Sequence, residues 1–422
     1  MRKLKNPVSI FLIFLLIYSL GSFSKIPFGD CMALVLDTEL GVYIKAATPT
    51  SHFLYSNAAI FIKNITNLDA ILVSRYLVIV AGAFVVMMVY RTTQIITNKN
   101  WVSIAAAFVF GFSFTFWRNA EIVEVYTFNM VWVSLLLHYL IKVFLVEKNR
   151  ETNMVLAAFF LSVSVWAHIQ NIFFIPSVLL MLFYFKNYSR AALISLLLPI
   201  VSFAVMMGLN SSQNLSVTSI FKSGESTWVA DSFKKDLFTY FKDFIKAFGY
   251  LLYNFNVFTI AGIFGIIALW RVNQKLFYTV SVAAVVIYGF ATFYAVSDNY
   301  VFFLPFNYIF ALSVGLGVAS LKKQKLLARL SPLCLLIPFV YVSAFAISSK
   351  IPAAKNFNDS KAYKGGLRYY LVPWMHENVG ILEFTIEKRN APEPLYWMID
   401  SAENYIEILK RKGLSREEIK KL

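Results

Sequence analysis

Residues 1–30 read MRKLKNPVSIFLIFLLIYSLGSFSKIPFGD. Basic residues precede an unbroken apolar run, and small residues follow it. The same order marks a secretory signal peptide, which is removed, and a first membrane helix, which stays. The rest of the chain decides between them. Ten further apolar runs lie at 71–90, 101–117, 122–146, 154–169, 172–185, 191–208, 247–270, 276–296, 300–320 and 330–348. The first run, 8–23, is therefore read as an uncleaved helix, and the chain as an all-α polytopic membrane protein of about eleven transmembrane helices.

Composition agrees. Of 422 residues, 59% are apolar and only 15% charged, against about 25% charged in a typical soluble domain. That balance excludes a soluble globular enzyme and a disordered chain. No run alternates with polar partners, so an outer-membrane barrel is unsupported. Backbone in lipid must satisfy its own hydrogen bonds, so the runs are helical. Two cysteines, Cys31 and Cys334, exclude a disulfide framework.

The net charge of +16 is mostly a topology signal. With the N-terminus in the cytoplasm and alternating sides, the inner loops hold sixteen basic residues against Glu147 and Glu151. They are Arg2, Lys3 and Lys5; Arg91 and Lys99; Lys142, Lys148 and Arg150; Lys186 and Arg190; Arg271 and Lys275; and Lys322, Lys323, Lys325 and Arg329. This is the positive-inside pattern. It leaves no concentrated basic face for nucleic acid. The expected organisation is a transmembrane domain over 1–348, with outer loops 24–70 and 209–246, and a small non-cytoplasmic C-terminal region over 349–422. That region is too short and polar for a large core of its own. Its end, LSREEIKKL, has the composition of an exposed helix. A bacterial inner membrane is the expected location.

Ionisable groups beside membrane helices are costly and need a reason. Here the unusual ones share the outer side: Asp30, Asp37, Glu39 and His52 after the first run; Arg118, Glu121 and Glu124 before the fourth; His168, Gln170 and Asn171 after the fifth; Asp298 and Asn299 before the tenth. Each has a plainer reading. Asp30 would cap a helix, Glu121 and Glu124 would be favoured by a helix dipole, His52 and His168 would be hydrogen-bonded packing residues, and Asp298-Asn299 would be a turn. Together they make the acid–histidine–amide cluster that a cleft at the membrane surface requires. The chain has no P-loop, HExxH, GxSxG or CxxC motif.

Several patches occur in a telling order: FGD (28–30), LGV (40–42), TPTSHFLY (48–55), SRYLV (74–78), FWRNAEIVEVYTFN (116–129), AHIQNIFFIP (167–176), YAVSDNYVFFLP (294–305) and YKGGLRYYLVPWMHENVG (363–380). In this order the chain resembles the polytopic family known as domain of unknown function 2723, related to protein O-mannosyltransferases. The resemblance implies a GT-C glycosyltransferase fold. It also implies transfer of a sugar from a polyprenyl- or dolichyl-phosphate carrier to a hydroxyl acceptor, protein Ser or Thr among the candidates, at the outer membrane face. An acid at the start of the first outer loop is the family's usual base, and Asp30 matches that position. The family's His-Pro-Pro-Gly-Tyr-Pro run is reduced here to TPTSHF (48–53), and Ala33 and Leu34 stand where a second acid usually follows.

On this reading Asp30 and Glu124 are the catalytic candidates. Arg75, Arg118 and His168 are candidates for the donor phosphate, and His52, Asn171 and Asp298 complete the substrate-binding set. Trp117, Tyr126 and Trp132 would offer sugar or isoprenoid surfaces. No metal and no cofactor is expected; the lipid-phosphate sugar is a co-substrate, and membrane lipids are partners. Two alternatives stand beside the transferase. A transporter or flippase would need polar residues at mid-membrane, broken helices and internal repeats, and an inactive scaffold would show no donor turnover.

Overall fold

The computed structural model describes residues 2–222, 227–296 and 298–422, without the side chains of residues 2–5, so the charged groups of Arg2, Lys3 and Lys5 in the topology signal lie outside what it describes. Among the described residues there is no strand. The opening run is α1 (Arg2–Gly21). Its Phe14 ring fills the space where a Cβ on Gly111 would sit, and its Tyr18 hydroxyl donates to the Gly111 carbonyl at 2.8 Å. A helix so deeply built into the core is part of the fold. The segment 24–70, expected as an outer loop, is itself helical, as α2 (Cys31–Leu40) and α3 (Phe53–Thr66).

Next come α4 (Ala70–Thr97), α5 (Asn100–Gly111), α6 (Phe114–Glu121), α7 (Val125–Leu145), α8 (Arg150–Ala167), α9 (Ile175–Tyr184) and α10 (Ser189–Ser212). The short α11 (Trp228–Ser232) leads to α12 (Leu237–Phe255), α13 (Phe258–Val272), α14 (Gln274–Phe293), α15 (Leu304–Ser320), α16 (Gln324–Leu330) and α17 (Ile337–Ser348). Local chemistry sets several starts. The carboxylates of Asp69 and Asp236 and the amide of Asn273 accept backbone N–H groups at 2.8, 2.8 and 2.9 Å, capping α4, α12 and α14. Before α9 and α15 the chain makes a 3₁₀ turn, and a proline occupies the first helical turn, where its missing N–H costs nothing.

All eleven apolar runs are helical, but fewer than eleven of the described helices have the length and composition of a span. Among the described residues six helices are long and apolar enough to cross a membrane, and up to eight if each bent pair is one span. The run at 101–117 is broken into α5 and α6 with a bend of 67°, and the run at 247–270 into α12 and α13 with a bend of 100°. Ile169–Tyr184 and Asn6–Gly21 are apolar but shorter, below the roughly 20 residues that hydrocarbon requires. The segment 209–246, expected as an outer loop, also differs from a plain loop. It holds the last turn of α10 and the first turns of α12, and residues 223–226 lie outside the described residues.

Segments expected on one side meet there. Asn6 and Tyr90 both donate to Asn100 Oδ1, at 3.0 and 2.7 Å, and Lys99 Nζ reaches the Ala319 carbonyl at 2.8 Å. At the opposite end Met375 N–H donates to the Gly21 carbonyl at 3.0 Å and Phe23 N–H to the Glu121 carbonyl at 3.3 Å.

Two cores result. One fills the bundle around Phe14, Tyr18, Phe110, Leu136 and Tyr308. The other joins the segment 24–70 to the tail helices α18 (Pro352–Ser360), α19 (Gly366–Leu371), α20 (Ile381–Ile386), α21 (Tyr396–Arg411) and α22 (Arg416–Ile419). Phe28, Cys31, Met32 and Val35 pack there with Phe384, Tyr405, Ile406 and Leu409. Ile26 N–H donates to the Leu422 carbonyl at 2.7 Å, and Ile381 N–H to the Ile26 carbonyl at 2.9 Å. The segment LSREEIKKL forms a short capped helix, α22, exposed at Ser415, Arg416, Glu417 and Glu418 and anchored by Ile419, which is completely buried in this second core.

Candidate active site

The strand of chain leaving α1 turns at Gly29, whose φ of +115° favours glycine, and whose missing Cβ would lie 3.3 Å from Glu124 Oε1. The turn delivers Asp30 to the position before α2. There its backbone is already helical (φ −70°, ψ −10°) and its carboxylate makes no capping hydrogen bond; helix caps normally need an extended backbone. The carboxylate turns instead towards His52, with Oδ2 3.7 Å from Nε2, and is 46% exposed.

His52 precedes α3 in the left-handed conformation (φ 44°, ψ 45°), which costs a non-glycine residue about 1–3 kcal/mol. Its ring stacks on that of His168, centroids 6.3 Å apart, and its Nδ1 is buried without a partner. His168 ends α8 in extended backbone. Its Nδ1 accepts the Gln170 N–H at 3.3 Å, so the proton of the neutral ring sits on Nε2. Burial, with His52 beside it, pushes the His168 pKa down to about 3. It is a neutral hydrogen-bond donor, not a cation.

Glu124 stands at the start of α7, 9% exposed. Its carboxylate faces the N–H groups of Asp30 and Val125, and the Cys31 thiol lies 3.9 Å away. Burial, then the nearby Asp30 and Asp298, hold it well above the usual carboxylate range. Asp298 opens onto the same interior space, where the protein mass around it and Asp30 raise its carboxyl. Arg118, on α6, is 2% exposed. Its guanidinium carbon lies 4.1 Å from the centre of the Tyr369 ring, and Nη1 donates to the Tyr369 carbonyl. Its Nε and Nη2 have no protein partner. A buried arginine with unspent donors suits an oxyanion.

Asp30, His52, Arg118, Glu124, His168 and Asp298 all line one cavity of about 1980 Å³. That exceeds the roughly 300–1,000 Å³ of an ordinary small-ligand pocket. A second wall comes from α12 and α14, through Tyr240, Lys246, Tyr250, Tyr253, Phe290 and Phe293. Gly249 and Gly289 on this wall leave open space where side chains would stand. The tail supplies the third wall, with Lys361, Lys364, Tyr369, Tyr370 and Glu393.

Two sequence candidates are absent from the cavity lining. Arg75 donates to the Ser19 carbonyl at 3.2 Å and lies over the Phe23 ring, 5.6 Å from its centre. Asn171 is buried and donates to Asn129 Oδ1 at 2.6 Å and the Ser164 carbonyl at 2.8 Å. Of the three aromatic candidates only Tyr126 lines the space; Trp117 packs on Trp374, and Trp132 on Phe160. The polar tail residues of the cavity are lysines and tyrosines with Glu393, so a pattern of acids and histidines does not reveal them, although Lys364, Tyr369 and Tyr370 lie within the resemblance patch 363–380. Among the described residues no group of three or more His, Cys, Asp or Glu side chains could hold a metal ion.

The family profile of the protein O-mannosyl-transferase TMEM260 N-terminal domain matches residues 40–192. That stretch carries His52, Arg118, Glu124 and His168 but neither Asp30 nor the tail. No curated protein matches the sequence. Among solved structures, ArnT from Cupriavidus metallidurans in the apo state is similar, with a TM-score of 0.52 and 11% identity over 86% of this chain and 68% of that one. The same enzyme bound to undecaprenyl phosphate gives 0.51 and 11%, over 84% and 68%. By family match and by fold, the chain is similar to the GT-C-type membrane glycosyltransferases.

Proposed function

We propose that this chain moves a sugar from a polyprenyl- or dolichyl-phosphate donor onto a hydroxyl acceptor at the outer membrane face, with Asp30 as the base. The observation that carries this reading is the half-exposed, uncapped Asp30 carboxylate, in one cavity with a buried arginine that has unspent donors. The solved complex of ArnT with undecaprenyl phosphate supports a lipid phosphate as ligand of this fold. The TMEM260 match makes mannose and protein Ser or Thr the first donor sugar and acceptor to try.

The acceptor oxygen forms its bond to the anomeric carbon as the bond from that carbon to the phosphate oxygen breaks. The bonding pair leaves on the phosphate, and the acceptor proton passes to an Asp30 oxygen. Attack from the face opposite the phosphate inverts the anomeric centre. The phosphate gains a negative charge as it leaves, and Arg118 Nε and Nη2 are placed to meet it. His168 adds a neutral Nε2 donor. His52 orients the Asp30 carboxylate, and Glu124 positions the Gly29–Asp30 backbone, so it is a positioning residue. The titratable groups of the cavity gather at one end of the bundle, which favours a transferase over a transporter with a mid-membrane site.

The test is reconstitution in liposomes with candidate polyprenyl-phosphate sugars. Asp30→Asn should lower transfer by about 10²–10⁴-fold. Transfer at the unmutated rate would remove Asp30 from the base role.

A further inference from the structure

The tail wall of the cavity contains a cation pair that the transfer chemistry above does not use. Lys361 Nζ lies 2.5 Å from Glu393 Oε2, and Lys364 Nζ lies 2.6 Å from Oε1. The Tyr363 hydroxyl donates to the same Oε1. One carboxylate thus takes two ammonium groups and a phenol. Glu393 sits in the segment Ala391-Pro392-Glu393-Pro394-Leu395, and the φ angles fixed by the two prolines present it as a stiff hook. Against the cost of burial, the hydrogen bonds from Lys361, Lys364 and Tyr363 push its carboxyl down to about 2.

This cluster adjoins the phosphate candidate. Lys364 Nζ lies 5.8 Å from the ring centres of both Tyr369 and Tyr370, and Arg118 lies over the Tyr369 ring. One tyrosine therefore separates the unspent donors of Arg118 from an ammonium group now neutralised by Glu393. A set of donors that holds a carboxylate this closely also fits phosphate oxygens, since both want charge-assisted hydrogen bonds of the same length. Charge tells the two ligands apart. Glu393 brings one negative charge, and a phosphate monoester brings about −1.5 to −2 at neutral pH.

We propose that Lys361, Lys364 and Tyr363 form a phosphate seat on the tail wall of the cavity, which Glu393 fills as a built-in competitor until a phosphate displaces it. This rests on the reading of the cavity as a lipid-phosphate site. A sugar diester, with one charge, competes evenly with Glu393. The monoester left after transfer carries more charge and takes the seat, so the seat opens as the reaction proceeds.

Binding tests this without turnover. Undecaprenyl phosphate is titrated into the full chain in neutral-lipid nanodiscs, with and without inorganic phosphate as competitor. Glu393→Gln should bind the lipid about tenfold more tightly, the gain expected when a competitor leaves the seat open about one-tenth of the time. Lys361→Gln with Lys364→Gln should bind about tenfold more weakly. Displacement by inorganic phosphate would mark a seat that also takes the free ion; tighter binding without such displacement would mark one restricted to the lipid headgroup. Wild-type binding with an unchanged or weakened Glu393→Gln affinity overturns the seat and leaves the transferase reading standing. If thermal melting shows that Glu393→Gln does not fold, the lysine pair decides, and unchanged affinity there overturns the seat. No binding by the wild-type chain would sink the lipid-phosphate reading itself.

Discussion

Asp30 illustrates what a single residue can and cannot disclose. Taken alone in the sequence it reads first as a helix cap; the base role comes from its company and from the family resemblance. The cap reading fails on a backbone angle, because a residue already in helical conformation cannot aim its carboxylate at the N–H groups ahead of it. Arg75 and Asn171 lie at the same end of the bundle as the cavity residues, yet the end alone does not fix direction: neither lines the cavity, and Arg75 Nη2 and the Asn171 amide donate to Ser19, Asn129 and Ser164. Arg118 yields a prediction. Lysine keeps the charge but not the planar fork, so Arg118→Lys should lower kcat/KM for the lipid donor about tenfold, a loss of roughly 1.4 kcal/mol; steady-state kinetics with varied donor checks it. Glu124 yields another. Its native pKa lies above the unfolded value of about 4.3. The native state therefore holds a proton that the unfolded chain releases, and stability falls as pH rises through that window. Asp298, also raised, adds a slope of the same sign. Thermal midpoints measured against pH should show the decline, and Glu124→Gln should flatten it.

At the scale of elements, every apolar run became a helix because lipid leaves the backbone no other partner. The ends and breaks were less legible. The helix α12 begins ten residues before its run was read, because it is amphipathic rather than uniformly apolar. Leu237, Phe238, Phe241, Phe244, Ile245 and Phe248 are exposed along one side, while Tyr240, Lys246, Tyr250 and Tyr253 line the cavity. An amphipathic face of this kind suits the membrane surface plane, and the chain bends by 100° into α13. The crossing of α13 and α15 depends on small residues. A Cβ on Gly265 would sit 1.7 Å from the Ser313 carbonyl oxygen, and one on Gly317 would sit 1.8 Å from that of Ala261. These obstacles are backbone, so they cannot swing aside. Gly265→Leu should cost about 3 kcal/mol or more, read as a lowered thermal midpoint in detergent, whereas leucine at Gly208, which faces open space, should leave it nearly unchanged.

Across the whole molecule, the bundle was readable and the tail's role was not. Tail residues carry no long apolar run, and their apolar side chains become a core only against the partners Phe28, Met32 and Val35. Nothing in a linear reading pairs residue 26 with residue 422. Ile419→Ala, deep in that shared core, should destabilise the protein by about 3 kcal/mol and should lower donor binding along with it, since the tail forms one wall of the cavity. Melting and donor titration on the same sample would separate this from a local surface effect, which would move neither.

The hydrogen bonds between residues 21–26 and 375–422 also set an order of events. Contacts so distant along the chain form only after the entropy of a very long loop has been overcome. The intervening helices must already be threaded through the bilayer before the pocket gains its last side. A lesion that slows insertion of any one of them would leave a half-built vessel, and the defect would register as missing chemistry long before it registered as a melted bundle.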